Sequence, residues 1–334
     1  MILTITLNPS LDRTIEVDTL VRGRVLRAGG THLHPGGKGV NVTRALLANG
    51  VPSRAVVPVA GPDGDQLVDL LAQEKVDAVV VPVSGRTRSN ITVAEADGTV
   101  TKLNEPGGAL TAAELERILD HALADAVAGG LVVLCGSLPP GAPTDTYARM
   151  TRRLSEDGQR VVVDTSGPAL AAAVAAGPAL IKPNAEELAE AVGRPLASRS
   201  DVVVAARELR ARGAQGVLVS LGAAGAVLVD DAGVLVGESA PVEPRSTVGA
   251  GDAFLAGFLG AVHVAEDAGI RLDGPERAAV GRAALAQALA WGAAAVRLPG
   301  SQMPAPDDID LSAVRVLTAE ELDACLTAPL VGTG

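Results

Sequence analysis

The sequence predicts an α/β protein: three layers, a mostly parallel central sheet covered by helices on both faces, and a small β-sheet lid. Three observations carry this. Short β-branched runs alternate with longer Ala/Leu-rich stretches along most of the 334 residues, the pattern of strands joined by helical crossovers. Residues 14–33 and 89–103 break that alternation: they are polar and strand-like, with no helix to follow. A chain of this length with 48% hydrophobic residues also suffices to bury a sizeable core.

Taken in order, the first strand is expected at 2–7, cut short by Asn8-Pro9. The first lid segment follows at 14–33, then a glycine-rich run that opens a helix at 38–49. Strand 54–59, helix 65–74 and strand 78–82 continue the alternation. The second lid segment, 89–103, reads as a hairpin because Asp97-Gly98 separates two alternating runs. Helix 112–127, strand 131–135, helix 143–156 and strand 160–164 come next. Strand 179–182, helix 185–192, helix 200–212 and strand 216–220 follow, then helices 250–265 and 275–295. A surface tail begins at Pro304, with one short helix near 319–326. No internal repeat or long linker divides the chain, so one domain over 1–334 is expected, with the lid inserted in it.

The bulk numbers exclude several classes. The formal net charge is −11, opposite to the balance of a nucleic-acid or anionic-membrane binder. Aromatic residues make up 1%, too few for base stacking. The two cysteines, Cys135 and Cys325, lie far apart with no disulfide framework or zinc spacing; Cys135 ends an apolar run and is expected to be a buried strand thiol. The first residues lack a basic leader, and no stretch approaches the 18 or so apolar residues of a membrane span. A reducing cytoplasm is the expectation.

In parallel sheets, ligands bind outside the carboxyl ends of the strands, which says where chemistry should sit. The strongest segment is Ser246-Thr-Val-Gly249-Ala250-Gly251-Asp252, leading into an apolar helix. It sets backbone N–H groups at a helix N-terminus, an anion site, with the Asp252 carboxylate in the first turn. Phosphoryl transfer to an alcohol needs both: donors for the transferring group and an acceptor for the hydroxyl proton. A plain N-terminal Asp favouring the helix dipole is the alternative.

Pro35-Gly36-Gly37-Lys38-Gly39-Val40-Asn41 lets a ligand approach the backbone closely and adds a charge at Lys38 and an amide at Asn41. It fails the Walker A spacing, and neither glycine run satisfies G-x-G-x-x-G. Lys182-Pro-Asn184-Ala-Glu-Glu187 follows a strand and opens a helix. Asn184 and Glu187 fit either a capping box or an oxygen pair for a hydrated Mg²⁺. Ser220-Leu-Gly222-Ala-Ala-Gly225 is either a phosphate cradle or a hairpin turn. Asn8 to Asp12 end the first strand, and Arg86, Arg88 and Asn90 lead into the hairpin. The four histidines have no metal spacing.

In this order, Gly36-Gly-Lys-Gly-Val-Asn41, Asn184-Ala-Glu-Glu187 and Thr247-Val-Gly-Ala-Gly-Asp252 resemble the motifs of the ribokinase/PfkB sugar-kinase family. The resemblance covers essentially the whole chain. It implies a ribokinase-like fold whose lid closes over the sugar and forms a homodimer contact. It implies Asp252 as base and Gly249, Ala250 and Gly251 as anion hole. Lys182, Asn184, Glu187, Ser220, Gly222 and Gly225 would serve ATP, with Mg²⁺ at Asn184 and Glu187 through water. A monovalent cation such as K⁺ is a further candidate.

Asp12, Gly36, Gly37, Asn41 and Ser137 would hold the sugar. Within the family, Thr6-Leu-Asn-Pro-Ser-Leu-Asp12, Gly136-Ser137-Leu-Pro-Pro-Gly141 and Asp164-Thr-Ser-Gly167 resemble kinases of phosphorylated hexoses. Such a substrate needs a second anion site away from Asp252. Lys38 and Arg88, beside Asn90, are the candidates, with Arg24 and Arg27 in the lid. The expected reaction phosphorylates fructose 1-phosphate on its 6-hydroxyl. Tagatose 6-phosphate and fructose 6-phosphate are alternatives, and a non-catalytic sugar or nucleotide sensor is a distant one.

Overall fold

The computed structural model describes residues 1–270, 274, 276–318 and 321. The chain opens with β1 (Ile2–Thr6), β2 (Ser10–Val17), β3 (Gly30–Gly36), α1 (Lys38–Ala48), β4 (Ser53–Val59), α2 (Gly61–Gln73), β5 (Ala78–Pro82), β6 (Arg88–Glu95) and β7 (Val100–Asn104). It continues with α3 (Ala112–Asp125), β8 (Leu131–Cys135), α4 (Thr146–Glu156), β9 (Arg160–Asp164), α5 (Gly167–Val174), β10 (Leu180–Ile181), α6 (Ala185–Val192), α7 (Arg199–Ala211) and β11 (Val217–Ser220). It closes with β12 (Ala226–Asp230), β13 (Gly233–Ser239), α8 (Ala250–Asp267), α9 (Arg277–Val296) and β14 (Val314–Val316). The helix expected at 319–326 lies, apart from Glu321, outside the described residues, as do Cys325 and the Pro275 start of the last expected helix.

Ten strands form one sheet in the order β14-β13-β12-β11-β10-β9-β8-β1-β4-β5. From β5 to β11 every pairing is parallel, and β12, β13 and β14 extend it antiparallel. The period-2 alternation of strands divides the core. Val56, Val132 and Leu134 face the layer of α3 to α7. Their neighbours Leu131 and Val133 face α1, α8 and α9, and Ala55 and Val57 pack under α1 and α2. The three-layer α/β class is therefore observed.

Several expectations are corrected. The antiparallel edge and α5 go beyond the expected elements; Asp231-Ala232 makes a tight turn between β12 and β13, where the alternation of strands and crossover helices stops. The first lid segment is not one strand-like unit at 14–33. It is a hairpin, β2 and β3, running from Ser10 to Gly36, and residues 18–29 between them lie outside any strand. The second hairpin pairs β6 with β7 around Gly98, whose φ of +90° is the conformation that favours glycine. These strands form a separate four-stranded sheet, β3-β2-β6-β7. Finally, α9 is apolar enough over its 20 residues to cross a membrane by length and composition alone, with half of it buried. It crosses α8 at Gly257, where a Cβ would stand 2.8 Å from Gln287 O and 3.0 Å from Trp291 Cγ, so it packs as a core helix.

Cys135 is buried as expected, and burial pushes its thiol pKa up. Just above it, the fully buried Tyr147 of α4 lies with its hydroxyl 2.9 Å from Cys135 O and 3.1 Å from Gly136 O. That bond ties the helical layer to the carboxyl end of β8. Tyr147→Phe should cost about 1–3 kcal/mol, because a buried carbonyl loses the one proton the hydroxyl donates; urea unfolding should show a lower midpoint at unchanged slope.

Candidate active site

The carboxyl ends of β1, β8, β9, β10 and β11 lie along one edge of the parallel sheet, and the starts of α1, α6 and α8 meet there through Lys38, Glu187, Asn41 and Asp252. Asp252 sits in the first turn of α8, only 7% exposed. Gly249 caps that helix at φ +78°. Gly249 O accepts from the N–H groups of Asp252 and Ala253, at 3.1 and 2.8 Å. The N–H groups of Ala250 and Gly251 belong to the turn that has no intrahelical acceptor. The space a Cβ would need at Gly249 is taken by Met303 Cε, 2.6 Å away.

Two lysines flank this helix terminus. Lys38 Nζ lies 2.8 Å from Asp164 Oδ1 and 3.8 Å from Glu187 Oε1. Lys182 Nζ lies 3.2 Å from Asp164 Oδ2 and 3.7 Å from where a Cβ on Gly251 would be. Asp164 ends β9 and is fully buried. Burial would raise its pKa, but the ammonium groups of Lys182 and Lys38 outweigh burial and hold it low. Lys38 answers in kind: burial works against its charge, yet Asp164, Glu187 and Asp252 push its pKa up.

Lys38 is thus revised. The expectation was a phosphate site shared with Arg88, away from Asp252; its first position in α1 aims it at Asp164 instead. Asp164 itself had not been singled out as a site residue. In the sequence it stands out as a carboxylate that directly follows the apolar run Val161-Val162-Val163.

Burial pushes the Asp252 carboxyl up to about 6, with Asp164 adding to the rise and Lys38, the Asn41 hydrogen bond and Lys182 opposing it. Asn41 Nδ2 donates to Asp252 Oδ2 at 2.8 Å. Asn41 is placed there by the tight seat of α1 on β1. Val40 N donates to Thr6 Oγ1 at 3.1 Å, and a Cβ on Gly39 would stand 2.5 Å from that same oxygen. Gly37, at φ +110°, has Thr6 Cγ2 and Pro9 Cα where a Cβ would go; only glycine passes at this turn.

The lid holds a second polar cluster. Asp12 of β2 accepts from Ser10 Oγ at 2.7 Å and from Asn90 Nδ2 at 3.0 Å. Its carboxylate fills the space beside the Gly36 Cα. Arg88 starts β6 opposite Ser10, donates from Nη1 to Glu105 O at 3.2 Å, and lines a small hollow with Asn8, Pro9 and Gly108. Burial pulls its pKa down, and Asp12 partly restores it. Arg88 Nε and Asn90 Oδ1 are buried without a hydrogen-bond partner among the described residues. Ser137, past the end of β8, takes a 3.4 Å contact from Asn8 Nδ2.

On the opposite side, Asn184 and Glu187 form a reciprocal capping box. Asn184 Oδ1 accepts from Glu187 N at 2.8 Å, and Glu187 Oε2 from Asn184 N at 2.9 Å. This leaves Glu187 Oε1 facing Lys38. Ser220 pairs with Asn184 across a β-bridge, which brings the ends of β10 and β11 together. Residues 220–225 connect antiparallel β11 and β12 through a 3₁₀ turn at Gly222–Ala224. Gly225, at φ +91°, abuts the Gly237 carbonyl of β13, so packing already requires glycine there.

A model of the family described as pfkB family carbohydrate kinase matches residues 5–308. The chain belongs to that family. This pfkB-family kinase is 39% identical to 1-phosphofructokinase of Xanthomonas campestris pv. campestris over 267 residues, covering 78% of this chain and 83% of that one. It is 38% identical to the ATP-dependent 6-phosphofructokinase isozyme 2 of Escherichia coli K12 over 257 residues, 76% and 83% of the two chains. The crystal structure of Escherichia coli phosphofructokinase-2 in complex with potassium superposes with a TM-score of 0.82, at 34% identity and over 92% and 96% of the two chains. That enzyme is also described in a tetrameric inhibited form.

A base at Asp252 would need to be ionised to accept a proton. The kinase's kcat/KM for the acceptor should therefore fall about tenfold per pH unit below an apparent pKa of about 6. A rate profile from pH 4.5 to 8 measures this; a limb near pH 4 would contradict the raised pKa.

Proposed function

We propose that this kinase transfers the γ-phosphoryl group of ATP to the 6-hydroxyl of fructose 1-phosphate, giving fructose 1,6-bisphosphate. The observation that carries the reading is the meeting of Asp252, held by Asn41, with a helix N-terminus flanked by Lys38 and Lys182. Asp252 takes the hydroxyl proton as that oxygen attacks phosphorus, and the bond to the β-phosphate oxygen breaks. The N–H groups around Gly249, Ala250 and Gly251 and the two ammonium groups meet the charge on the transferring oxygens. None of these donors needs to reorganise during the step.

The acceptor's own phosphate is assigned to the lid side. Support comes from Arg88, whose Nε is buried and unpartnered, and from Asn90 Oδ1 in the same condition; buried polar atoms of this kind fit a polar ligand. Asp12, Gly36, Gly37, Asn41 and Ser137 would hold the sugar. On the nucleotide side the reading uses Lys182, Glu187, Ser220 and Gly222.

Mg²⁺ suits the hard carboxylate oxygens beside the anion hole, Glu187 Oε1 first, with waters completing its shell. When bound, it offsets phosphate charge. Asn184 enters only by fixing Glu187, since its side-chain oxygen is committed to the cap. K⁺ is carried over as a candidate from the Escherichia coli structure in complex with potassium.

A homodimer through the lid is part of the reading. Ile15, Leu33, Ile91, Val93 and Leu103 share the lid face opposite Asp12 and Asn90 by strand register, and Val25 in the connecting loop is 99% exposed. The bacterial relatives support a cytoplasmic location.

ADP release with Mg-ATP against fructose 1-phosphate, fructose 6-phosphate, tagatose 6-phosphate, fructose and ribose tests the reading. Highest kcat/KM for fructose 1-phosphate is expected, and preference for an unphosphorylated sugar would overturn it. Asp252→Asn should lower kcat at least 100-fold with KM changed only a few-fold, since the lost interaction belongs to the transition state. Arg88→Ala should raise KM for the phosphosugar about 10-fold or more while leaving KM for ATP alone, as loss of a charged hydrogen bond does; equal effects on both would move the acceptor phosphate elsewhere.

A further inference from the structure

Arg44 lies one turn after Asn41 in α1 and is buried. Its Nη1 donates to Asn41 Oδ1 at 3.1 Å, while Asn41 Nδ2 donates to Asp252 Oδ2 at 2.8 Å. An asparagine amide has an accepting end and a donating end, and in isolation either end can face a given neighbour. A guanidinium has donors only. Beside Arg44, therefore, only the oxygen of Asn41 is tolerated, and the NH₂ group is left for the carboxylate.

We infer that Arg44 is a positioning residue for the base: it fixes the Asn41 amide so that a donor, and never an acceptor, faces Asp252. The inference rests on the reading of Asp252 as the base.

Arg44 is itself held on three sides. Its Nε and Nη2 form a fork on the Glu74 carboxylate, just past α2, at 2.5 and 2.9 Å. Nη1 also donates to Ser301 O at 3.0 Å and to Pro35 O, at the end of the lid hairpin, at 3.4 Å. The planar fork fixes the direction of Nη1, which a lysine on a flexible stem cannot do as well. The chain Glu74–Arg44–Asn41–Asp252 thus runs from the protein surface to the reacting proton. Without Arg44 the amide is free to rotate. Its oxygen then faces the carboxylate for part of the time, and Asp252 loses a donor that favours its ionised form.

The test is kcat against pH with Mg-ATP and the preferred phosphosugar, for the parent protein, Arg44→Met, Asn41→Ala and the double variant. The charged groups facing Asp252 are Lys38, Asp164 and Lys182, and those facing Arg44 are Glu74 and His34; all stay in place. Each single variant should move the acid limb to higher pH by roughly one unit. The double variant should coincide with Asn41→Ala, because Arg44 acts through that amide. A limb that does not move in Arg44→Met, or shifts that add in the double variant, would overturn the inference.

If Arg44→Met fails to fold, Arg44→Lys replaces it, with an intermediate limb expected. A parent-like limb at lowered Tm would make the residue purely structural and end the proposal. Asp252→Asn, measured alongside, separates the two readings. Activity in that variant strikes the base itself, whereas an inactive Asp252→Asn with an unmoved Arg44 limb strikes only the positioning role.

Discussion

A carboxylate with no exposed surface must be matched by positive charge, and Asp164 is matched twice. Removing an ion from water costs several kcal/mol, and one partner with imperfect geometry does not restore it. Asp164 therefore requires Lys38 from one side and Lys182 from the other, and by doing so it fixes both. The helix N-terminus of α8 then has two ammonium groups beside it whose positions are set before any ligand arrives. The same carboxylate raises the Asp252 pKa while the lysines lower it. Burial, aided by Asp164, outweighs the lysines and the Asn41 hydrogen bond, so the Asp252 carboxyl stands at about 6.

The backbone serves this arrangement at few places. The β1–β2 connection is only three residues long, Leu7 to Pro9, so the large sheet hands the chain straight to the lid. Asp12 thus stands on the lid sheet three residues into β2, while Asp252 stands in the first turn of α8. The close seat of α1 on β1, possible because Gly37 and Gly39 have no side chain there, is what lets Asn41 touch Asp252. Any larger residue would push α1 outward and break that contact.

The strand–helix alternation was legible in the sequence because it is a local pattern, and most parallel strands stand within one or two residues of their expected bounds. The edge strands β12 to β14 were not legible, because antiparallel addition depends on a turn and on a segment from the far end of the chain. The lid hairpin was misread at its start for a related reason. Ser10 and Asp12 look like a loop until β6 is available to pair with them.

By itself the sequence determined the residue types at each strand end and helix start: Asp252 after its glycines, Lys38 after Gly37, Asn184 three before Glu187. Those follow from local chemistry, since a helix N-terminus and a glycine turn are properties of a few consecutive residues. Only the tertiary structure decided which charges meet. Lys38 went to Asp164 rather than to Arg88, Asn184 turned its oxygen to its own helix, and Arg44 found Glu74, Ser301 and Asn41 at once. Such pairings join residues up to 257 positions apart. They are set by the crossing of elements in space, which no local pattern encodes.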